Sequence, residues 1–441
     1  MKALYHRWVG RKAREAIWKV VHFWHYRAEM RHWVWRQRMG WTLRKERRRR
    51  KRVVLAYISV EGHWPFVDSL LSAVEAKSRD VMLCLAVDEV DAVPEEGLGG
   101  IAKWQIRPLR EFDGMEGIDV FLTPEHNCEY AVDGPFRICM FHGLPVKGKT
   151  FQEEYMRDFD GVFLQGPLQE RMLDEFAGKV PEVGGRLERW RVGYPKTDML
   201  FHARPSREDL LREMGLDPAR KTVLYAPAFD QGTSLPQYGE EIFRVLERLD
   251  CNVIVKLHPV SYDRRVVGVH SKGIYWPEVA DRHAVPGKFV HAGNVDVGKC
   301  LLAADVLLTD VSSVALEFML LDKPVVYLEC PEFYAQFREG GSYEKWGDDP
   351  VHDLRVNAGR DAGLQARDLK EMEACLARAI EKPDEHHGER LHIAEQMLFN
   401  AGHATEAGSQ CLSDVLQTLP GGNVRVKISR RSEGANEQDG H

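Results

Sequence analysis

Two patterns of apolar residues alternate along most of the chain. Short β-branched runs such as Val53–Ile58 and Val81–Val87 predict buried strands, and segments with helical spacing or loops separate them. The alternation begins again near residue 222 and continues to about residue 327. Strands that are separated by crossovers form parallel sheets covered on both faces. Because 441 residues also exceed one comfortable core, the pattern predicts an α/β protein with units at 53–195 and 196–385.

One stretch of the second unit joins a strand end to a hydroxyl-rich turn. An apolar run from Ala303 to Leu308 predicts a strand, and Thr309-Asp310-Val311-Ser312-Ser313 follows it before a short helix. The first N–H groups of a helix have no intrahelical partner and attract anions, and two serines add hydroxyl donors. The stretch therefore predicts a phosphate site. The alternative is that Thr309, Asp310 and Ser312 only cap the helix.

Histidines also follow strand ends, where the ligands of parallel sheets bind. His142 lies between an apolar run and a Gly-Leu-Pro turn, which would hold its imidazole rigidly, as a general base requires. Lys147 and Lys149 beside it would attract an anion. The alternative is a surface loop with ordinary lysines. His63 and His126 also follow strands, and we expect both to be structural.

Two further strand ends of the second unit carry polar groups. The run 222–225 ends in Tyr225-Ala226-Pro227, and the run 253–257 contains Lys256 and ends in His258-Pro259. A single histidine would more often be structural. In combination with Ser312 and Ser313, these residues predict a site at one edge of a second sheet.

The first 52 residues differ from the rest of the chain in charge. They carry 18 Lys and Arg against 3 Glu, a net charge of +15, whereas the whole chain has a net charge of −6. Apolar residues recur at helical spacing among these charges, and six of the 11 tryptophans lie here. A basic amphipathic helix rich in Trp is typical of an anionic membrane surface. The tryptophans favour the membrane over the alternatives, which are docking on the protein's own body, oligomerisation, and nucleic-acid binding through the polyarginine run.

Composition argues against several other classes of protein. The eight cysteines are scattered without C-x-x-C spacing, so we expect reduced thiols and no metal site. No stretch approaches the roughly 20 apolar residues that span a bilayer, and the N-terminus lacks the apolar core of a signal peptide. We therefore expect a cytoplasmic protein that is peripheral on the inner face of the cell membrane. Residues 386–420 predict C-terminal helices, and residues 421–441 predict a disordered tail.

These motifs, in this order, resemble those of the CDP-glycerol glycerophosphotransferase family of teichoic-acid polymerases and primases. The family's first motif, His-Gly-Thr-Pro-Leu-Lys, resembles His142-Gly143-Leu144-Pro145-Val146-Lys147. The family's later motifs resemble Gly193-Tyr194-Pro195, Tyr225-Ala226-Pro227, His258-Pro259, and Thr309-Asp310-Val311-Ser312-Ser313 followed by Glu317. The similarity covers about residues 130–330.

The resemblance implies a GT-B-like fold, in which two Rossmann-like domains face each other across a cleft, here with a basic helical N-terminal extension. It implies an enzyme that moves a polyol phosphate from a CDP-activated donor to a hydroxyl of a membrane-linked or cell-surface glycan, without a further cofactor. By this analogy His142 would deprotonate the acceptor, and His258 would act on the donor's phosphates. The implied donor-binding residues are Lys147, Tyr225, Pro227, Lys256, Thr309, Asp310, Ser312, Ser313 and, at the ribose, Glu317.

The sequence departs from the family's motifs at several positions. Leu144 and Val311 replace a Thr and a Tyr, and Phe229-Asp230 stands where an aromatic residue and an Arg are usual. The altered donor side leaves open another polyol phosphate or a sugar phosphate. Two other functions also stay open. One is a GT-B glycosyltransferase or UDP-N-acetylglucosamine 2-epimerase-like enzyme that uses a UDP-sugar, and the other is a non-enzymatic protein that binds nucleic acid or an assembly partner.

Overall fold

Two parallel β-sheets form the body of the protein, as the alternation of apolar runs predicts. The structure, a computed structural model, describes residues 11–59, 63–88, 101–126, 128–144, 150–202, 205–265, 267–339, 359–420 and 424–431. The strands are β1 Arg52–Ile58, β2 Val81–Val87, β3 Ile106–Arg107, β4 Val120–Thr123, β5 Tyr130–Asp133, β6 Phe136–Cys139, β7 Gly161–Leu164, β8 Glu188–Arg191, β9 Thr222–Tyr225, β10 Asn252–Val255, β11 Phe289–His291, β12 Val306–Thr309, β13 Val325–Leu328, β14 Leu364–Ala366 and β15 Lys427–Arg430. The helices are α1 Arg11–Arg48, α2 Trp64–Lys77, α3 Glu153–Met156, α4 Pro167–Lys179, α5 Pro181–Gly184, α6 Arg207–Glu213, α7 Ser234–Tyr238, α8 Glu241–Arg248, α9 Val267–His270, α10 Trp276–Arg282, α11 Val297–Ala303, α12 Val314–Met319, α13 Pro331–Glu339, α14 Leu369–Glu381, α15 His387–Met397 and α16 Ala404–Thr418.

The order of the strands brings the predicted motifs together. The first sheet has seven parallel strands in the order β3-β2-β1-β4-β6-β7-β8, and the second has six parallel strands in the order β11-β10-β9-β12-β13-β14. The strands β9, β10, β12 and β13 are buried along their whole length, which explains why they consist mostly of Val, Ile and Leu without polar alternation. The motifs follow three neighbouring strands in each sheet, namely β1, β4 and β6, and then β10, β9 and β12.

A single helix, α1, makes up the described part of the basic arm. Trp35, Met39 and Leu43 are spaced four residues apart, are at most 4% exposed, and pack against residues of β1 and β2. The indole Nε1 of Trp35 also donates to the carbonyl of Trp104 at 2.8 Å. The stretch of α1 from Trp35 to Leu43 is therefore docked on the protein's own body and is continuous with the core of the first unit.

The C-terminal helices return the chain to the first unit. The helix α16 packs along α2, and the Asp198 carboxylate accepts hydrogen bonds from the N–H groups of Ala404 and Thr405 at the start of α16. None of the described helices has the length and apolarity that a membrane-spanning segment needs.

A short strand follows these helices. β15 pairs with β5 in antiparallel orientation, so the prediction of a disordered tail from residue 421 is wrong for this segment. Its apolar signal is weak, because only Val426 and Ile428 pack against the first unit while polar residues surround them. Pairing with β5 and backbone hydrogen bonds of Val426 with Gly114 and Met115 help to hold it in place.

Candidate active site

The predicted base, His142, lies in a cluster of histidines around one buried carboxylate. Because β1, β4 and β6 are neighbours, the residues that follow these strands meet at one edge of the first sheet. Glu125 Oε1 lies 2.5 Å from His63 Nδ1, and Glu125 Oε2 lies 3.5 Å from His142 Nδ1. The rings of His63 and His142 stack with centroids 4.8 Å apart, and the ring of His126 lies 5.3 Å from that of His142. His63 and His126, which we expected to be structural, therefore belong to this site.

The surroundings of His142 fix its tautomer. Its Nδ1 lies 3.1 Å from the carbonyl oxygen of Pro124. A carbonyl oxygen can only accept, so Nδ1 carries the proton and Nε2 of the neutral ring is left as a proton acceptor. The chain on either side is held as well. Phe141 is buried with a φ of 60°, a strained conformation for a residue other than Gly, and the Gly143 N–H donates to the Tyr194 hydroxyl at 2.9 Å.

Burial and charge set the protonation state of the cluster. Burial lowers the pKa of His142, an effect that Glu125 opposes and His63 reinforces. Burial also lowers the pKa of His126, to about 4. Burial acts to raise the pKa of Glu125, but the hydrogen bond and charge of His63 and the charge of His142 bring it down to about 2. At neutral pH the cluster therefore holds a carboxylate and a neutral His142, the state that a general base requires.

In the second unit, Asp310 holds two loops together instead of facing the donor side. Its carboxylate is almost completely buried and accepts four hydrogen bonds. Three come from the N–H groups of Ala228 at 2.8 Å, Val311 at 2.7 Å and Ser234 at 3.0 Å. The fourth comes from the Ser234 hydroxyl at 2.6 Å. Asp310 therefore ties the loop after β9 to the turn after β12.

Three other predicted donor residues support the same loops. The Tyr225 hydroxyl bonds to the Ser234 hydroxyl at 2.7 Å, and the Thr309 hydroxyl donates to the Ala226 carbonyl at 2.7 Å. Pro227, which follows Ala226 in the sequence, is buried. These side chains shape the site without presenting polar atoms to a ligand.

Ser312 and Ser313 are placed differently. Both are partly exposed at the start of the six-residue helix α12, and the Ser313 side chain makes no capping hydrogen bond. Within the described residues, the hydroxyl of Thr309 and the carboxylate of Asp310 bond to the loop after β9 and not to α12 as side-chain caps would. The two serine hydroxyls are thus the polar groups of this turn that a ligand can reach.

His258 and Lys256 follow β10, and the ring of His258 lies 4.5 Å from that of Phe229 in the loop after β9. The Nδ1 atom of His258 accepts a hydrogen bond from the Val260 N–H at 3.2 Å, so the neutral ring carries its proton on Nε2, as a donor. The Lys256 ammonium donates to the carbonyls of Ala292 and Gly293 at 3.1 and 2.8 Å, and burial lowers its pKa. His258 therefore has the opposite tautomer to His142.

An ion pair at the junction of the two units lies next to these motifs. Both oxygens of Glu317 accept hydrogen bonds from the Lys196 ammonium, at 3.0 and 3.1 Å, and the two side chains are only 8% and 13% exposed. The ammonium also lies 5.2 Å from the ring centroid of Phe66 in the first unit. Leu144, two residues after His142, and Leu316, before Glu317, belong to one continuous apolar cluster. The two sets of motifs therefore meet at one interface between the units.

The sequence did not point to two residues of this site, Glu125 and Lys196. Glu125 follows β4 directly, the same kind of signal that pointed to His142, whereas nothing in the local sequence marks Lys196. Lys147 lies outside the described residues.

Comparisons with known proteins agree with the motifs. Residues 186–340 match the family model of CDP-glycerol:poly(glycerophosphate) glycerophosphotransferases. The teichoic acid glycerol-phosphate primase of Bacillus spizizenii is 31% identical over 141 residues, which are 31% of this chain and 33% of the relative. The teichoic acid ribitol-phosphate polymerase TarK of Staphylococcus aureus is 24% identical over 164 residues, 33% of this chain and 29% of the relative. The chain thus matches about a third of the length of these curated relatives.

Solved structures extend the likeness to the whole fold. A variant of the wall teichoic acid polymerase TagF superimposes with a TM-score of 0.58 at 12% identity, covering 83% of this chain and 89% of that chain. A second TagF structure gives a TM-score of 0.55 at 13% identity, covering 89% and 97%. The predicted GT-B-like α/β fold with two parallel-sheet units is confirmed. The resemblance to the CDP-glycerol glycerophosphotransferase family is likewise confirmed, by the match across residues 186–340 and by these relatives.

Proposed function

We propose that the protein is a transferase that moves a polyol phosphate from a CDP-activated donor to a hydroxyl group of a membrane-linked or cell-surface glycan. The observation that carries this proposal is the pair of opposite tautomers of His142 and His258. His142 offers an unprotonated Nε2 to an acceptor hydroxyl, and His258 offers a protonated Nε2 to a phosphate oxygen. In-line phosphoryl transfer needs a base at the attacking oxygen and donors around the phosphates.

The proposed step uses each group once. His142 Nε2 takes the proton of the acceptor hydroxyl while the hydroxyl oxygen attacks phosphorus. The bond from phosphorus to the bridging oxygen of the pyrophosphate breaks, and CMP leaves. The Glu125 carboxylate, 3.5 Å from His142 Nδ1, stabilises the imidazolium that forms. His258 and the hydroxyls of Ser312 and Ser313 donate to the phosphate oxygens.

The names of the relatives support the class of transferred group, and the motif resemblance supports the remaining donor contacts. The curated relatives are named for glycerol phosphate and for ribitol phosphate, so we propose a polyol phosphate without choosing between the two. We assign Lys147 to the phosphates and Glu317 to the ribose hydroxyls, with Lys196 moving aside or sharing the carboxylate. The activated donor itself brings the transferred group, so the proposal includes no separate cofactor.

Isothermal titration tests the donor side. The titrants are CDP, CDP-glycerol, UDP and UDP-N-acetylglucosamine, and the proteins are the wild type, a Ser312→Ala/Ser313→Ala variant and a control Ser72→Ala variant, whose serine is exposed on α2. We expect only the cytidine ligands to bind, and binding to be lost in the double variant and kept in the control. Binding of the uridine ligands alone would favour the UDP-sugar alternative, and binding of none of them would contradict both enzymatic functions.

We also propose that α1 holds the protein at the inner face of the cell membrane. On the face opposite the docked residues, Met30, Trp33, Val34 and Trp41 are 41% to 58% exposed, and the Lys45 ammonium lies 4.9 Å over the Trp41 ring. Exposed indoles beside cations suit the headgroup region of anionic lipid.

Sedimentation with vesicles tests this membrane proposal. We expect binding to phosphatidylglycerol vesicles that weakens with salt and is largely lost in a Trp33→Ala/Trp41→Ala variant. A Gln37→Ala variant, changed on the same exposed face, is the control. Binding to duplex DNA in place of vesicles, or a change of oligomeric state in the double variant, would support one of the other assignments of the arm.

A further inference from the structure

The Glu125 carboxylate contacts two imidazoles, although one contact would be enough to orient a base. Glu125 is only 6% exposed at its side chain, and it also accepts hydrogen bonds from the Ser59 N–H at 3.0 Å and the Ser59 hydroxyl at 2.8 Å. The side chains of His63 and His142 are 25% and 29% exposed. The carboxylate is thus a fixed anchor, and the two rings are the parts of the cluster that a ligand can reach.

The two rings are oriented alike. Each has its Nδ1 towards Glu125, at 2.5 Å for His63 and 3.5 Å for His142, and the ring planes differ by 21° with centroids 4.8 Å apart. The Nδ1 atom of His63 faces the Glu125 carboxylate, and that of His142 donates to the Pro124 carbonyl, so both Nδ1 atoms face acceptors and Nε2 of each ring in its neutral form is an acceptor. The cluster therefore presents two parallel acceptor nitrogens, which suit a ligand with two hydroxyl donors on adjacent carbons.

We propose that His63 and His142 bind one acceptor through two neighbouring hydroxyl groups, with Glu125 positioning both rings. His142 binds the hydroxyl that attacks phosphorus, and His63 binds the hydroxyl beside it. During transfer the proton of the attacking hydroxyl passes to His142 Nε2, while His63 Nε2 accepts a hydrogen bond from the neighbouring hydroxyl. The acceptor class is then a vicinal diol, as at the end of a glycerol unit or on a sugar ring. The assignment of the attacking hydroxyl rests on the proposed function.

A matched pair of acceptors tests His63 directly. Octyl glycerol phosphate has a terminal vicinal diol, and octyl 3-hydroxypropyl phosphate has only the terminal hydroxyl. With CDP-glycerol as donor and CMP release as the readout, we expect wild-type kcat/KM to be about tenfold higher for the diol, the worth of one hydrogen bond. His63→Ala should remove this preference, so that the kcat/KM values for the diol and for the single alcohol become equal. His392→Ala, an exposed histidine on α15, should keep the preference.

Nitrogen NMR of histidine-labelled protein gives a second measurement that does not depend on turnover. We expect sn-glycerol 3-phosphate to shift the Nε2 signals of both His63 and His142, and 3-hydroxypropyl phosphate to shift that of His142 alone. Glu125→Gln should alter the Nδ1 signals of both rings, because it weakens the anchor that they share. It should also slow transfer to both acceptors.

The outcomes separate this inference from the proposed function. A diol preference that survives His63→Ala, or a wild type without preference, overturns the role of His63. Absence of any shift at His63 on addition of glycerol phosphate does so too. Zinc that binds with one-to-one stoichiometry and shifts both Nδ1 signals would show that these atoms are metal ligands and would also overturn it. If CDP-glycerol fails to bind while glycerol phosphate shifts both rings, the diol site stands and the proposed phosphotransfer fails.

Discussion

Asp310→Asn is expected to destabilise the second unit, because it changes one acceptor oxygen into a donor without changing the volume of the side chain. In the structure one carboxylate oxygen accepts from the N–H groups of Ala228 and Val311, at 2.8 and 2.7 Å. The other accepts from the N–H and the hydroxyl of Ser234, at 3.0 and 2.6 Å. In either orientation of the amide, one pair of donors faces its NH₂ group. If that pair belongs to Ser234, the hydroxyl can turn to accept, and one N–H is left without a partner.

The expected loss in the free energy of unfolding can be estimated from these hydrogen bonds. A buried donor without a partner costs about 1–3 kcal/mol, and the loss of charge weakens each of the two remaining hydrogen bonds by about 1 kcal/mol. Allowing for local relaxation, we expect the free energy of unfolding of this unit to fall by about 3 kcal/mol. For a unit of this size, with a urea dependence of about 2.5 kcal/mol per molar, the midpoint should fall by about 1.2 M.

Urea unfolding followed by tryptophan fluorescence measures this effect, since Trp276 lies in the core of the second unit. Ser312→Ala is the matched control from the same turn, and its stability should stay within about 0.5 kcal/mol of the wild type while CDP binding weakens. A shift below about 0.3 M for Asp310→Asn would refute the supporting role. Loss of CDP binding by a fully stable Asp310→Asn protein would instead indicate that Asp310 binds the donor directly.

Three further predictions concern other parts of the structure. Lys196→Met leaves the Glu317 carboxylate buried and unpaired, so we expect the free energy of unfolding measured in urea to fall by about 3–5 kcal/mol. Adding Glu317→Gln should restore most of this loss. Equal stability of the single and the double variant would contradict this prediction. Burial lowers the pKa of His142 below its ordinary value of 6.5, so kcat/KM should stay constant as the pH falls through 6.5 and should decline only at the lower pH where the ring takes up a proton. A decline of kcat/KM that begins above pH 6.5 would contradict a neutral His142 base. Trp35 is buried and Trp33 is exposed, so Trp35→Ala should lower the free energy of unfolding by about 3–5 kcal/mol and Trp33→Ala by less than about 0.5 kcal/mol. Equal losses of stability would show that α1 is not docked as described.

The strands and helices that bury one continuous face could be predicted from the sequence. The run Val81–Val87 is the strand β2 without any change of boundary, and the run Val53–Ile58 is β1, which begins one residue earlier at Arg52. The apolar run before Thr309 includes most of β12, Val306–Thr309. Each of these signals is local, so neighbouring residues are enough to reveal it.

The contacts inside the site could not be predicted in the same way. Glu125 and His63 are 62 residues apart, and they meet because β1 and β4 are adjacent, which depends on the order of strands in the sheet. Lys196 and Glu317 are 121 residues apart and meet only where the two units pack. The motif residues were placed at the correct strand ends, but the sequence did not distinguish supporting side chains such as Asp310 from exposed ones such as Ser312.

The segment between the two units links the base to the donor side. The Tyr194 hydroxyl accepts the Gly143 N–H, next to His142, and two residues later the Lys196 ammonium holds Glu317, four residues after Ser313. Under the proposed function, ribose hydroxyls that donate hydrogen bonds to Glu317 would compete with Lys196 for the same carboxylate. Release of Lys196 would change the packing around Tyr194, because both residues belong to one short stretch of backbone that packs against Phe66. If the proposed function is correct, donor binding at Glu317 would therefore change the surroundings of His142 through these contacts.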